Sequence, residues 1–331
     1  MNRPARVAVI GVGILGASVG WNLSRQGAKV VFIDAGQPGE GVTNWSFSWV
    51  NAISKTARKS YFDLNVAGMA AYRELAGTIG PDSWWYPSGH LRWADEPAAE
   101  AKLLKTAELL AGWDYRVEVS TGAEVRRSLE PALTMPDEVP VVFYPDEAWV
   151  HGRHLVGRLV GHAVASGAEL RTGTAVCDIG TGADGSIRTV ALSDGSRLDV
   201  DMIVNAAGPR ASHVAEFVAR HLPVRQEPGV ITRIGCTQVP VHRAVHAPHI
   251  EIRPDGDASV VLHSREIDAL IDFGEDPAQL AWLPTAPSPP AGSPRWGQCP
   301  PCRATTRPSP TAAPRSGRQL ADCLLRRSSA G

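Results

Sequence analysis

The six residues Gly11-Val12-Gly13-Ile14-Leu15-Gly16 constrain this chain more than any other stretch. They sit between a β-branched run, Val7–Ile10, and a helix-like segment, Ala17–Gln26. A second apolar run, Lys29–Asp34, follows and ends on an acid. Strand, glycine turn, helix and strand make a βαβ unit, which commits the start of the chain to a buried parallel sheet. The glycines have separate tasks. Gly11 permits the tight turn, Gly13 lets the backbone approach a pyrophosphate, and Gly16 lets the helix lie close on the strand. The helix N-terminus offers unsatisfied N–H groups and partial positive charge to phosphates. Asp34 stands about 20 residues further on, placed to accept hydrogen bonds from ribose hydroxyls. The pattern points to dinucleotide binding and does not separate FAD from NAD.

Beyond this unit the reading alternates. Residues 35–56 are polar and irregular. Helical spacing returns over 59–79, with Phe62, Val66, Met69, Ala70 and Leu75 on one face. Gly89–Trp93 reads as a strand, Pro97–Ala111 as a helix, 139–150 as a strand pair, and His154–Ser166 as a helix with Leu155, Leu159 and Val160 on one side. Residues 168–208 read as strands punctuated by Asp184-Gly185 and Asp194-Gly195, both hairpin turn signals. Residues 223–265 also alternate, with a turn at Pro254-Asp255-Gly256. The fold class this implies is α/β with an α+β second part: a Rossmann-like dinucleotide-binding domain and a discontinuous, strand-rich second domain.

Bulk properties exclude more than they specify. A chain of 331 residues supplies about two domains at ~100–200 residues each. A net charge of −1 gives no field favouring nucleic acid or a membrane surface. No apolar run is long enough to span a bilayer. The start, Met1-Asn2-Arg3-Pro4-Ala5-Arg6, lacks the apolar stretch of a secretory signal, so a cytoplasmic location is expected. Cys177 and Cys236 stand singly in apolar surroundings, with no disulfide framework and no metal-ligand spacing.

Val204-Asn205-Ala206-Ala207-Gly208-Pro209 ends a very apolar strand, Met202–Ala206, on small residues. Such residues let a strand end lie flat against a large cofactor, and equally suit a strand-to-helix turn. At this point the chain resembles the FAD-dependent oxidoreductase superfamily of D-amino-acid oxidase, glycine oxidase and sarcosine oxidase. The matching pieces are VAVIGVGILGASVGWNLSRQGAKVVFIDAG, TNWSFSWVNA, YPSGHLRWA at 86–94, YPDEAWVHGRHLVGRLVGHAVASGAELRTGTAV at 144–176, and VNAAGPRAS at 204–212. They keep the family's order over roughly residues 6–275.

The resemblance implies FAD as cofactor. Gly11, Gly13, Gly16 and the backbone of Ile14 and Leu15 would hold its pyrophosphate. Asp34 would bind the adenosine ribose, where the family more often has Glu. Thr43, Asn44, Trp45 and Ser46 would line the flavin, Val176 would contact adenine through its backbone, and Ala207 and Gly208 would close the adenine–ribose side. The aromatics Trp45, Phe47 and Trp49 in that polar stretch argue for something to cover. The implied chemistry is oxidation of the C–N bond of an amino acid or secondary amine by hydride transfer to flavin, which needs no general base if the amine binds neutral. Arg58, Tyr61, His151 and Arg233 are the candidate substrate contacts, since the family binds a substrate carboxylate through an arginine and a hydroxyl. No catalytic residue, electron acceptor or metal is implied. The expected division assigns residues 1–56 and 145–222 to FAD binding and 57–144 and 223–283 to the substrate domain.

Past about residue 283 the composition shifts. Residues 284–331 hold ten of the 26 prolines and seven arginines, against a single acid, Asp322. This is expected to be a disordered tail. Where the family pattern has R-P-x-x-P-D-G-x-P-x-I-G, the chain reads Arg307-Pro308-Ser309-Pro310-Thr311-Ala312-Ala313-Pro314-Arg315-Ser316-Gly317. Reading one nucleotide upstream permits P-V-P-D-G-R-P-x-V-G, so an off-frame translation after about residue 284 is the expectation. Cys299-Pro300-Pro301-Cys302 has no second pair and no following histidine, and is read as accidental. Two alternatives stay open: a truncated, inactive relative that binds FAD weakly or not at all, and an NAD-dependent dehydrogenase built on the same βαβ unit.

Overall fold

The first strand, Arg6–Ile10, is buried from Val7 to Ile10, because its Val-Ala-Val-Ile sequence has a neighbour on both edges. A computed structural model describes residues 3–224, 229–235, 241–256 and 258–268, with the strands Gln298–Cys299 and Cys302–Thr305. The parallel sheet runs in the order Met202–Asn205, Arg6–Ile10, Lys29–Ile33, Glu169–Arg171. Ile10 lies opposite Ile33 on one side and Asn205 on the other. Met202–Asn205, read as a very apolar strand, is at the sheet edge, and Met202 is 58% exposed.

The chain divides into two compact units. One is built from Met1–Ser46 and His151–Glu227, the other from Phe47–Val150 and Pro228–Asp272, with Cys302–Thr305 pairing into the second. In the first unit the helix Ile14–Arg25 packs on the helix Gly152–Ala165, whose buried face is Leu155, Val156, Leu159, Val160 and Ala163. Gly20 faces Phe32 so closely that a methyl there would lie 2.1 Å from the ring. An antiparallel meander, Val176–Thr181, Ile187–Leu192 and Arg197–Asp199, turns at Gly185 and Gly195, both with positive φ. Val190, Leu192, Leu198 and Val200 join Ala8, Val31 and Ile33 in one core. Cys177 is exposed on this meander, a correction to its expected apolar surroundings, because alternate positions of a strand face opposite ways. Cys236 lies outside the described residues.

The second unit is dominated by one mixed sheet. Its order is Gln298–Cys299, Cys302–Thr305, Ile231–Gly235, Ser259–His263, Glu251–Pro254, Ala244–His246, His90–Arg92, Pro140–Tyr144, Glu118–Thr121. Leu91, Trp93, Val125, Val141, Val245 and Val260 form its core. A smaller sheet joins Trp49–Val50, Ala148–Val150 and Trp85–Tyr86. That pairing puts residues 47–50 and 148–150 in the second unit, although the sequence suggested FAD binding for both. The helix Lys59–Ile79 buries Phe62, Met69, Ala76 and Ile79, while Ala70, expected inward, is exposed. The helix Gly122–Ser128 carries a capping box at Thr121 and Glu124.

Only six residues of the Pro/Arg-rich tail are described. Gln298–Cys299 and Cys302–Thr305 pair antiparallel, with Cys299 opposite Cys302, and Arg303–Thr305 pairs with Arg233–Gly235. Those six positions pair as strand within the segment expected to be a disordered tail. The rest of 284–331, including the segment that motivated the off-frame reading, lies outside the described residues. Among the described residues no helix is long and apolar enough to cross a membrane.

Candidate functional site

The glycine turn closes tightly on the end of the edge strand. Gly11 has φ of +91°, and a Cβ there would lie 2.4 Å from the Ala206 carbonyl oxygen and 2.8 Å from Ala207 Cα. A Cβ on Gly16 would lie 1.9 Å from the Gly11 carbonyl oxygen. Both positions therefore exclude every other residue. Gly13 is the N-cap of the helix Ile14–Arg25 and has no side chain to satisfy the first-turn amides. Leu15 is 72% exposed in that first turn. A bare, glycine-cleared helix N-terminus fits a pyrophosphate.

Thr43 lies in the short 3-10 helix Val42–Trp45, and its Oγ1 accepts the Ile14 amide at 3.0 Å. The Ile14 N–H expected to face phosphate is thus engaged within the protein, leaving the amides of Leu15 and Gly16 for an anion. Asp34 also has a task the sequence did not reveal. Its Oδ2 accepts from Val12 N–H at 2.7 Å and its Oδ1 from Gly36 N–H at 2.8 Å. One carboxylate thereby ties the glycine turn to the loop after the second strand, and each oxygen keeps a lone pair for a ribose hydroxyl.

The remaining expected cofactor residues divide by distance. Ala207 and Val176 pack on the same core cluster, Ile10, Ile179 and Val214. Gly208, with φ of +56°, begins the turn into the helix Ala211–Glu216. Asn44, Trp45 and Ser46 continue the 3-10 segment, with Trp45 at 37% exposure. The other two aromatics of that stretch belong to the second unit. Phe47 packs edge-on to His246 at 5.6 Å, and the Trp49 ring lies 4.2 Å from His246 and 4.5 Å from His90.

Of the four expected substrate contacts, Arg58 and Tyr61 come together in an open hollow lined also by Ala57, Ser60 and Leu64. Lys55 stands over the Tyr61 ring at 5.7 Å. Arg233 lies in the large sheet and is ion-paired through Nε to Asp255. His151 is the N-cap of the helix Gly152–Ala165, accepting the His154 amide at 3.4 Å while its ring stacks on His154 at 3.7 Å. Arg233 and His151 therefore have structural tasks, and neither lines the hollow.

Sequence reading missed Glu147. It is fully buried, and its carboxyl meets Trp49 Nε1–H at 2.9 Å, Tyr115 O–H at 3.1 Å, Ala52 N–H at 3.3 Å and Ile53 N–H at 3.4 Å. Burial pushes its pKa up to about 8, against the pull of those four donors. No pattern in the sequence marks an acid whose partners lie 32 to 98 positions away. Arg253 was missed too. It is buried, donates to the Phe47 carbonyl at 2.5 Å and to Asp255 at 2.9 Å, and its guanidinium lies 4.8 Å from the Trp149 ring centroid. Among the described residues no group of three His, Cys, Asp or Glu side chains is arranged to hold a metal.

Comparison with known proteins places the chain in a family. Residues 6–294 match the model of the family described as FAD dependent oxidoreductase. The chain belongs to that family. FAD is the cofactor, and the glycine cradle is the part of the fold that suits its phosphates. A D-proline dehydrogenase of Pyrobaculum islandicum is 28% identical over 136 residues, a stretch covering 38% of this chain and 35% of that protein. The aligned part thus spans about a third of that relative. Glycine oxidase from Geobacillus kaustophilus superposes with a TM-score of 0.68 at 21% identity, covering 78% of this chain and 71% of that one. Iminodiacetate oxidase from a Chelativorans species gives 0.63 at 25% identity, covering 78% and 71%. These likenesses support the mixed α/β fold, with its parallel Rossmann-like sheet and separate antiparallel sheets.

Proposed function

We propose that this chain oxidises the C–N bond of an amino acid or secondary amine. One observation carries the reading: the Gly11–Gly16 turn, closed on Ala206 and Ala207, forms a pyrophosphate cradle in a family whose relatives include a D-proline dehydrogenase and oxidases of glycine and iminodiacetate. Bound FAD supplies the hydride acceptor that this chemistry needs. The chain's own residues have simpler tasks. Gly13, Leu15 and Gly16 hold the phosphates, Asp34 orients the ribose, Thr43 fixes the helix end, and Thr43–Ser46 line the flavin. Val176, Ala207 and Gly208 close the adenine side. The first unit is the FAD-binding part and the second the substrate part.

Arg58 and Tyr61 are the substrate anchors in this reading. Their hollow joins a fixed positive charge to a hydroxyl, the pair that suits a carboxylate. Arg233 is the weaker candidate, because Asp255 already neutralises it. His151 is retained only as a helix cap.

The test is direct. The purified chain is expected to carry a flavin absorption spectrum at about one FAD per chain, and that spectrum is expected to bleach anaerobically with an amino acid such as proline or glycine, or with a secondary amine. A colourless chain that takes up no added FAD would refute the reading and favour the inactive-relative alternative. Nicotinamide binding without flavin would favour the dehydrogenase alternative.

A further inference from the structure

Seven titratable groups of the second unit lie in series, each within 3.3 Å of the next. Tyr115 Oη is 3.1 Å from Glu147 Oε1, and Glu147 Oε2 is 3.2 Å from His90 Nδ1. His90 Nε2 is 2.7 Å from His246 Nδ1, and His246 Nε2 is 3.3 Å from Glu251 Oε1. Glu251 Oε2 is 2.8 Å from His263 Nδ1, and His263 Nε2 is 2.7 Å from Asp268 Oδ2. Exposure rises along the series: 0% for Glu147 and His90, then 7%, 14%, 18% and 23% for His246, Glu251, His263 and Asp268. From Glu147 the series runs outward, and His90, His246, Glu251 and His263 stand on four separate strands.

Proton counting fixes how it is filled. His90 and His246 share one contact, so one ring donates and the other accepts. Burial lowers the pKa of both histidines, His246 to about 4, so both are neutral at neutral pH. Burial of Glu251 opposes its charge, but hydrogen bonds from His246 and His263 outweigh that and hold its carboxyl below the usual range. A charged Glu251 needs His246 to carry its proton on Nε2. His246 Nδ1 is then an acceptor, His90 donates from Nε2, and His90 Nδ1 is left bare. That atom is buried and has no well-aligned hydrogen-bond partner, and Glu147 Oε2 lies 3.2 Å from it. A carboxylate there would set lone pair against lone pair, whereas a carboxylic acid supplies the missing proton. Other charged groups near the series are Arg92, which further lowers His90, Arg265 against Glu251 at 3.4 Å, and Arg73 and Asp146, whose fields reach Tyr115. Tyr144 stacks on His90 and stays protonated.

We propose that Glu147, His90, His246 and Glu251 form a proton wire that connects the buried carboxyl holding Trp49, Ala52 and Ile53 to the part-exposed His263 and Asp268. A second filling has the same number of protons. Glu147 gives its proton to His90 Nδ1, His90 passes its Nε2 proton to His246 Nδ1, and His246 passes its Nε2 proton to Glu251. Three O–H or N–H bonds break and three form, no electrons are transferred, and one negative charge moves from Glu251 to Glu147. His263, held protonated between Glu251 and Asp268 by hydrogen bonds that outweigh its burial, stands ready to exchange with solvent at the far end. Glu147 is a positioning residue: as a carboxylate it grips its four donors with charge-assisted bonds, and as an acid it holds them less tightly. The wire sets which of the two it is.

Infrared spectroscopy of the full chain at neutral pH tests this. Wild type is expected to show a buried protonated-carboxyl band that Glu147→Gln abolishes. On rapid mixing into heavy water that band is expected to shift at least tenfold more slowly in His246→Phe than in wild type, with His249→Gln, outside the series, unchanged. If His246→Phe does not fold, His246→Gln is used, and nitrogen NMR of wild type is expected to show neutral His90 and His246, each protonated on Nε2. Absence of the Glu147 band, equal exchange rates in wild type and the His246 variants, or an imidazolium at either histidine would overturn the wire. None of these readouts depends on bound flavin or substrate.

Discussion

Glu147 makes the fold lose stability as the pH rises through neutrality, in a window where carboxylates ordinarily have no effect. Its carboxyl is fully buried and its pKa is raised from 4.5 to about 8. Between those values the unfolded chain has released this proton and the folded chain has not. The folded state therefore binds more protons, and stability falls with pH at about 1.4 kcal/mol per unit. The contribution is fully present below pH 4.5 and is lost as the pH passes 8. His90 and His246 act with the opposite sign, because their lowered pKa values penalise folding only below their ordinary 6.5. Above about pH 7.5 both are neutral in either state, and what remains of their titration below that is the same in wild type and in a Glu147 variant. From 6.5 to 8 Glu147 alone then costs about 2 kcal/mol. Glu147→Gln keeps the shape and the acceptor but does not titrate. Urea unfolding of both proteins across this window checks the sum, and the difference subtracts His263, whose raised pKa acts alike in each. A wild-type-minus-variant difference that stays flat from 6.5 to 8 would refute the buried-acid assignment.

Three further outcomes test the cradle and the buried cation. Gly16→Ala sets a Cβ 1.9 Å from the Gly11 carbonyl and is expected to cost about 3 kcal/mol and to abolish flavin retention, read by thermal melting and by the flavin-to-protein absorbance ratio. Thr43→Ala removes the acceptor of the Ile14 amide, with an expected cost of about 1 kcal/mol and weaker retention of FAD in equilibrium dialysis. Arg253→Met removes one of the two arginines paired with Asp255, which is 5% exposed, and takes a donor from the Phe47 carbonyl; a loss of about 3 kcal/mol in urea unfolding is expected.

Local signals carried the reading as far as local physics decides structure. The helices Lys59–Ile79 and Pro97–Ala111 appear at the residues their spacing and composition indicated, and the hairpin turns fall at Gly185 and Gly195. The glycine turn was legible because Gly11 and Gly16 are each required by a backbone atom a few residues away or across one sheet. The Thr121-to-Glu124 capping box was equally legible and went unread. What stayed hidden depends on partners far along the chain. Arg233 looks like a substrate-binding cation until the turn at Asp255 folds back on it, and His151 looks like a substrate contact until its ring stacks on His154. His90 and His246 are single histidines in separate strands, 156 positions apart, brought together by one parallel pairing of Ala244–His246 with His90–Arg92. No periodicity announces such a meeting.

The placement of Met202–Asn205 beside Arg6–Ile10 also has a consequence for how the chain is made. Ile10 and Asn205 are paired, yet everything belonging to the second unit's first segment, Phe47–Val150, is synthesised between them. At ribosomal speeds of roughly 5–20 residues per second, the ~170 residues after the second strand take on the order of ten to thirty seconds to emerge. Throughout that interval the Val-Ala-Val-Ile strand has one open edge. The intervening segment thus resembles a guest finishing its own folding inside an unfinished host. Slowing elongation within codons 47–150 is expected to lengthen the host's vulnerable period and lower the yield of folded protein, with no change in the polypeptide itself.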